Sequence, residues 1–460
     1  MKNKIFSLLI FVTMLSSCAH PLPFQSSQVN PPSMWNKMSA VMIADEDKVK
    51  VDQRWWWNFK DLTLSELVQE AVANNKTLGI AHQRILEAQA NLGYARAAQM
   101  PEIDGVVNPR RQNQGYATAR KPVNLVDVQL QATWEMDIFQ RNTPRMQQAE
   151  ELVQYAQYSR QAVVVDLLSA LGESYFDLQN YKLQMDITVK NLDLQRQTLK
   201  LIKAQLKGAM ASDFDVQRTE AQVSATESKL PALQTAYDAA LDQINVLLGA
   251  APGTKDVLIE KREALQPLDQ RILVAAPATV LANRPDVKAA ERQFAAAISG
   301  KKAAQRLYWP DINLLSFFGL QGSHMPTAET WGAALTIVEP LIDFGRIRAQ
   351  INAADAQQQE AFLNYQQTVL GAMQQMEDAL SSYKNEWVRN QSLRKAVEQN
   401  RRASDLAQRQ FKSGFIGLLD VLVVQGNLLE AESTLADSDC TLRKDLVHVY
   451  VASGGGWQTT

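Results

Sequence analysis

Cys18 carries the clearest chemistry in the chain. It closes the run Leu15, Ser16, Ser17, Cys18, behind the apolar stretch IFSLLIFVTML and the basic pair Lys2 and Lys4. A short charged start, an apolar stretch of this length and small residues at its end make a secretory signal rather than a membrane-spanning helix. LSSC also resembles the bacterial lipobox, in which the chain is cut before a cysteine whose thiol then takes up lipid. Cys18 is therefore the expected lipidation site. Acyl chains there, palmitate among them, would hold the new N-terminus at a bilayer by hydrophobic burial. Ala19 follows, where an inner-membrane retention signal would carry aspartate, so the outer membrane is the favoured bilayer. With Cys18 acylated, Cys440 has no partner, and no disulfide framework is expected.

The other reactive residue types are scattered. His20, His82, His324 and His448 stand in no HExxH or similar ligand spacing, and neither GxSxG nor a phosphate-binding loop occurs. No catalytic residue, metal site or cofactor is expected, and the chain does not read as an enzyme. Met34, Met38 and Met42 fall four apart and thioethers suit Cu(I), but packing or chance is the favoured reading. The formal net charge is -2 and no aromatic-basic patch occurs, so nucleic acid is not an expected partner. Beyond the N-terminus nothing approaches the roughly 18 continuous apolar residues of a spanning helix.

What must position these residues is an unusual length of helix. Residues 345–414 contain no proline and one internal glycine, Gly371. Apolar or small residues recur there in threes and fours from Ile347 through Val369, Met376 and Tyr383 to Trp387, with one gap at Gln358. Such a helix would measure about 100 Å, more than a compact domain needs. A second rod covers 141–208. The two belong to an internal two-fold repeat. Ala73, Asn74, Ala81, Pro101 and Ile103 match Ala282, Asn283, Ala290, Pro310 and Ile312 at a constant separation of 209. Phe139, Arg141, Asp215 and Val216 match Phe344, Arg346, Asp420 and Val421 at 205.

Each half therefore reads as helix, hairpin, very long helix, sharp turn and returning helix. The expected division is a signal peptide at 1–17 and a lipidated tether at 18–54. A first repeat at 55–248 (hairpin 103–138), a linker at 249–275, a second repeat at 276–452 (hairpin 312–342) and a flexible tail at 453–460 follow. The first returning helix is expected to kink at Pro231.

From Val126 to Ile138 apolar residues alternate with polar ones, which gives a strand with one face suited to lipid. An open sheet edge cannot sit unpaired in hydrocarbon, and transmembrane barrels close with about eight strands or more. Four strands per chain fall short, whereas three copies would supply about twelve, enough for a lumen. The expected fold class is an α+β membrane channel: a trimeric 12-stranded β-barrel, four strands per chain, continuous with a long periplasmic α-helical barrel.

Several segments resemble the TolC family of outer-membrane efflux proteins: the WWxxFxD pattern ending at Asp61, NRPDVxxAE at 283–291, PLIDFGRIR at 340–348 and the ASDFDV turn at 211–216. The lipobox and the NRPD segment look most like the lipoprotein branch, which serves resistance-nodulation-division pumps. The resemblance spans roughly 55–452. It implies a homotrimer in the outer membrane that extends into the periplasm. It also implies docking to a periplasmic adaptor (membrane fusion) protein and an inner-membrane pump, with no cofactor and no catalysis.

The resemblance also assigns roles to the two turns that end the rods. Adaptor-binding positions fall on Lys207, Gly208, Ala209 and Ser212, and on Ser413, Gly414 and Gly417. Ala209 stands where the family usually has the turn glycine. The family's gate, a leucine ring backed by aspartates, maps onto Leu419. Val423 occupies the place of the aspartate, so Asp420 is offered instead, with Asp213 and Asp215 adding charge at the pore gate. The plainer role for Ser212 and Asp213 is capping of the returning helix. Efflux of drugs, metal ions or other small molecules is the leading expectation. A type I protein secretion duct is the alternative. A lipid-tethered periplasmic coiled-coil scaffold leaves the strand alternation unexplained.

Overall fold

The computed structural model describes residues 31–37, 42–44, 51–112, 122–260, 272–323 and 325–458. Cys18, His20, Met38 and His324 lie outside them. The chain runs from β1 (Met42–Ala44) through a 3-10 turn at Trp55–Phe59 to α1 (Leu62–Asn74) and α2 (Lys76–Ala97). The first hairpin follows as β2 (Glu102–Gln112) and β3 (Val123–Glu135), then the first rod, α3 (Thr143–Lys207), which is 65 residues long. The chain returns in two pieces, α4 (Asp213–Glu227) and α5 (Lys229–Leu247). After α6 (Asp256–Ile259) and β4 (Ile272–Val274), the second half repeats the plan. It has α7 (Pro277–Asn283), α8 (Pro285–Gln305), β5 (Asp311–Gly322), β6 (Ala328–Val338), the 67-residue rod α9 (Arg346–Lys412) and α10 (Leu418–Ala452).

Local chemistry explains where elements stop. The periodicity of the first helix is interrupted at Asn75, whose side chain accepts from Leu78 N at 3.0 Å and donates to Leu247 O at 2.9 Å. Asn75 thus caps α2 and ties it to α5. Pro231 sits in the first turn of α5, and its ring excludes the carbonyl four residues back, at Glu227. The break falls at Ser228, as the proline demands.

The four strands form one antiparallel sheet in the order β2-β3-β5-β6. Directly opposed residues share a face. Leu130, Phe318 and Trp331 line up on one face, as do Trp134, Leu314 and Leu335. Asn108, Asp127 and Gln321 line up on the other, where Arg110 pairs with Asp127 at 3.3 Å. Both strand ends come earlier than the alternation suggests. Asp137 leaves the sheet because its carboxylate accepts from Asn142 N, Thr143 N and Thr143 Oγ1 at 2.6–2.8 Å and so starts α3. β6 ends at Val338 because Pro340 has no N–H to give, and Asp343 accepts from Gly345 N and Ile347 N to start α9.

The hydrophobic core lies where the 3-10 turn, α1, the middle of both rods and the C-terminal half of α10 meet. Trp55, Leu64, Leu168, Tyr175, Leu380, Tyr383 and Val447 are buried in it. Trp55 stacks on Tyr450 with ring centroids 5.9 Å apart.

Two expected loose ends are docked. Ser453 to Gly456 are buried, so the first half of the tail expected at 453–460 is docked on the body. Gly454 and Gly456 take φ of +81° and +101°, and a Cβ on Gly456 would stand 3.0 Å from Trp55 Nε1. Only glycine permits both the turn and the approach. The N-terminal segment is also held. Trp35 donates its indole N–H to Ala275 O at 2.9 Å, Asn36 N and Lys37 N donate to the Glu377 carboxylate, and β1 pairs in parallel with β4. The tether expected over 18–54 is therefore anchored on the body at these points. Met34 is exposed rather than packed.

Candidate gate and docking turns

The two rods end in the same backbone motif, one copy per repeat. In the first turn Ala209 N donates to Leu206 O at 3.0 Å and Met210 N to Gln205 O at 2.8 Å. In the second, Gly414 N donates to Phe411 O at 3.0 Å and Phe415 N to Gln410 O at 2.9 Å. These are the paired bonds of a Schellman motif, which needs a left-handed residue after the helix cap. Gly414 supplies it with φ +76°, and Ala209 supplies it with φ +55°, while Gly208 stays at φ −89°. An alanine therefore holds the glycine position, at a steric cost that Gly414 avoids.

The returning helices start with matched caps. Ser212 accepts from Asp215 N at 3.2 Å, and the Asp215 carboxylate accepts from Ser212 N at 3.0 Å and from Ser212 Oγ at 2.6 Å. That is a reciprocal capping box with Asp215, not Asp213, as the partner of Ser212. The Ser212 hydroxyl and then its backbone N–H hold the Asp215 carboxyl below the usual carboxylate range. In the second turn Gly417 N donates to Asp420 Oδ2 at 3.2 Å, and Gly417 has no side chain to return the bond. Asp420 and Asp215 are the same position in the two repeats, and each serves its own turn.

Around these caps both turns expose large apolar side chains. Phe415 is 81% exposed, Met210 76% and Phe214 70%, and Leu419, the repeat equivalent of Phe214, is 49% exposed. Val423 is also exposed. Val216 and Val421, 205 apart, are buried and fix the returning helices to the rods. Asp213 and Asp215 stand on one helical hairpin, α3–α4, and Leu419 and Asp420 on the other, α9–α10. Lys207, Gly208, Ser413 and Gly414 form the rod ends of the two turns.

Above the turns the helices are joined by buried polar residues that apolar periodicity misses. Gln184, Thr188, Asn191, Gln195 and Thr198 are all buried on α3 in steps of four and three, the spacing of a coiled-coil seam. Gln184 Nε2 donates to Ser433 O and Asp437 Oδ1 at 2.8 and 3.0 Å, and Gln425 Nε2 donates to Thr198 Oγ1 at 3.1 Å. On the other side Asn390 and Arg394 of α9 bind Asp439 at 2.8 and 2.5 Å. α10 is thus held between both rods, while α4 is braced on α3 by Lys203–Glu220 at 2.6 Å.

A second cluster lies nearer the core. His448 Nε2 meets Glu173 Oε1 at 3.1 Å, and Lys444 Nζ meets Asp177 Oδ1 at 2.9 Å. The hydrogen bond to Glu173 raises the His448 pKa, and burial pushes the Asp445 carboxyl up to about 6. Burial also pushes the Cys440 thiol up to about 12, which leaves it unreactive.

Comparison with known proteins agrees with this geometry. The family model described as outer membrane efflux protein matches residues 67–250 and 276–455, once on each repeat. Nodulation protein T of Rhizobium leguminosarum bv. viciae is 28% identical over 408 residues, which cover 88% of this chain and 84% of the relative. The pyoverdine export outer membrane protein OpmQ of Pseudomonas putida is 27% identical over 460 residues, 96% of each chain. The solved outer-membrane channel OprN superposes with a TM-score of 0.88 at 26% identity, covering 95% of this chain and 99% of that one. The open-state MtrE outer membrane channel of Neisseria gonorrhoeae has the same fold, with a TM-score of 0.83 at 21% identity over 96% and 99% of the two chains.

Proposed function

This chain belongs to the outer membrane efflux protein family, and from that premise we propose that it is the exit duct of a tripartite pump. It would pass small molecules, drugs or metal ions among them, from an inner-membrane resistance-nodulation-division-type transporter and a periplasmic adaptor to the exterior. The observation that carries this reading is the sheet. It has one apolar face and, within the chain, edge strands β2 and β6 that have no further strand beside them among the described residues. Lipid tolerates neither edge unpaired, so β6 of one copy would pair with β2 of the next and three copies would close the barrel.

In that assembly the α3–α4 and α9–α10 hairpins would reach into the periplasm. Their turns, with Lys207, Gly208, Ala209, Ser212, Ser413, Gly414 and Gly417, would meet the adaptor. The exposed apolar side chains there fit a docking and sealing role, because large apolar groups left in water mark interaction surfaces. Leu419 would seal the pore, with Asp420, Asp213 and Asp215 at its mouth, and lipid on Cys18 would anchor the N-terminus in the outer membrane. Relatives named for export of pyoverdine, toluene and solvents support small molecules as the cargo class.

The test is direct. The purified chain should migrate as a heat-resistant trimer, fractionate with the outer membrane and form channels in planar bilayers. A strain lacking it should become sensitive to toxic small molecules and recover when the chain is restored. A protein that stays monomeric and forms no channels would overturn the proposal.

A further inference from the structure

Where the sheet meets the rods, the chain forms a cavity of about 630 Å³, open on one side, whose wall includes Arg141, Arg145, Arg346, Trp309 and a single carboxylate, Asp311. Arg141 and Arg346 are equivalent positions of the two repeats, each just ahead of or opening a rod. Duplication has therefore brought one arginine from each half to the same space. Their own partners do not use them up. Arg141 reaches Asp311 through Nη1 at 3.2 Å, while its Nε is buried without a hydrogen-bond acceptor. Among the described residues Arg145 donates to a neutral group, Asn142 Oδ1, at 3.1 Å and meets no carboxylate. Beside Arg346, Asp343 already accepts from Gly345 N and Ile347 N at 3.1 and 2.7 Å.

Three guanidinium groups and one carboxylate on its wall leave the cavity net cationic, and an anion there would offset the repulsion among the like charges. We propose that this cavity binds an oxyanion, a phosphate or carboxylate group, between Arg141, Arg145 and Arg346. The planar guanidinium fork matches such groups through paired, charge-assisted hydrogen bonds. Gln148 and Gln350, also on the wall, add neutral donors. Trp309, stacked on Phe139 with centroids 5.4 Å apart, closes one side with aromatic surface.

Two sources supply this chemistry. Asp311 and Val338 form the last paired rung of β5 and β6 on the face that carries Asp127 and Gln321, so the cavity lies at the rod end of the sheet, beside its polar face. If the sheet spans the membrane as proposed above, that end is level with the periplasmic headgroups, and a phospholipid phosphate reaching round the end of the sheet is one source. A soluble anion in the duct is the other source. The arginine cavity itself does not depend on the channel reading, and bilayer conductance of the same samples reports on that reading separately.

The experiment uses the full chain, purified in detergent for calorimetric titration with inorganic phosphate and in nanodiscs of mixed phosphatidylglycerol and phosphatidylethanolamine for native mass spectrometry. One bound anion per chain is expected, with Arg346→Gln weakening it at least tenfold and Arg409→Gln, at the far end of α9, leaving it unchanged. Arg346 is exposed, so its replacement leaves the fold intact. Phosphate binding without lipid enrichment assigns the site to soluble anions. Retention of phosphatidylglycerol that Arg346→Gln abolishes assigns it to the leaflet. If neither probe binds, or if Arg346→Gln binds like the parent, the proposal falls.

Discussion

Arg401 Nε reaches Glu432 Oε1 at 2.7 Å across the second helical hairpin, and Arg196 makes the same contact with Glu227 at 2.9 Å across the first, 205 positions earlier. The brace has survived duplication, but its setting differs. The Glu432 side chain is 14% exposed and also accepts weakly from Asn191 of α3 at 3.4 Å, whereas Glu227 is 54% exposed. Exposed pairs contribute roughly 0.2–1 kcal/mol, and hydrogen bonds to shielded charges about 1.5–3 kcal/mol. Arg401→Ala should therefore loosen α10 and raise single-channel conductance, with Arg196→Ala having the smaller effect. Equal conductance changes in the two variants would refute the ranking by burial.

The turn below that brace holds a strained residue. Ala209 sits at φ +55° where Gly414 sits at +76° in the other repeat. Left-handed backbone costs a residue with a Cβ roughly 1–2 kcal/mol. Ala209→Gly should raise unfolding stability by about 1 kcal/mol, and Gly414→Ala should lower it by about as much. A Cβ on Gly414 meets nothing within 4 Å, so only the backbone is being tested. Thermal unfolding of the two variants in detergent measures both signs, and a loss of stability in Ala209→Gly would contradict the strain.

Leu419 is half-exposed in the single chain and makes no part of its core. If it seals the closed pore of the assembled channel, Leu419→Ala should leak ions in a planar bilayer without changing thermal stability by more than roughly 0.5 kcal/mol, the range of surface substitutions. Conductance equal to that of the parent would rule it out as the seal.

How legible all this was depends on how far apart the interacting residues lie. The 205-residue offset places Ala209 opposite Gly414 from the letters alone, and the alternation from Val126 places the apolar face of β3. The polar seam on α3 was readable in principle, since Gln184, Thr188, Asn191, Gln195 and Thr198 keep a coiled-coil spacing. An eye set for apolar residues passes over it. The docked tail and the Trp35 anchor were not readable. They rest on contacts between Gln53 and Gly456, 403 residues apart, and between Trp35 and Ala275, 240 apart, which no local pattern announces. The arginine cavity is intermediate. The repeat pairs Arg141 with Arg346, but only the fold brings the two to one space.

The His448–Glu173 pair makes stability depend on pH from both sides. The Glu173 hydrogen bond raises the His448 pKa above its ordinary 6.5, so that contribution is complete below 6.5 and is lost as pH rises through the raised value. The same bond lowers the Glu173 pKa below its ordinary 4.5, so its contribution is complete above 4.5 and is lost as pH falls through the lowered value. Asp445, raised by burial from its ordinary 3.8 to about 6, removes stability as pH climbs from 3.8 to about 6 and adds no further slope above that. The other charges facing this group are Lys444, Asp177 and Glu386. Melting temperature should fall through Asp445 between about pH 4 and pH 6, a loss that Asp445→Asn removes, and should fall again above about pH 6.5 through His448, a fall that His448→Gln removes. A profile that neither Asp445→Asn nor His448→Gln alters would remove the cluster from the account.

Gln195 poses the opposite case, a buried polar group with nothing to bind. Its side chain is fully buried on α3, and neither Nε2 nor Oε1 has a hydrogen-bond partner among the described residues. One turn along, Gln425 of α10 gives its amide to Thr198 but leaves its own carbonyl unpaired. A buried, unmade hydrogen bond costs about 1–3 kcal/mol. That cost exists only while α3 and its neighbours stay packed, because helices that part admit water to the amide. Gln195→Leu should therefore stabilise the packed state by about 1–3 kcal/mol, provided the similar volume fits. In a channel whose turns open by parting these helices, the same change should also lower the open fraction in bilayer recordings. Higher melting temperature with unchanged gating would separate the two effects and place the seam above the moving part.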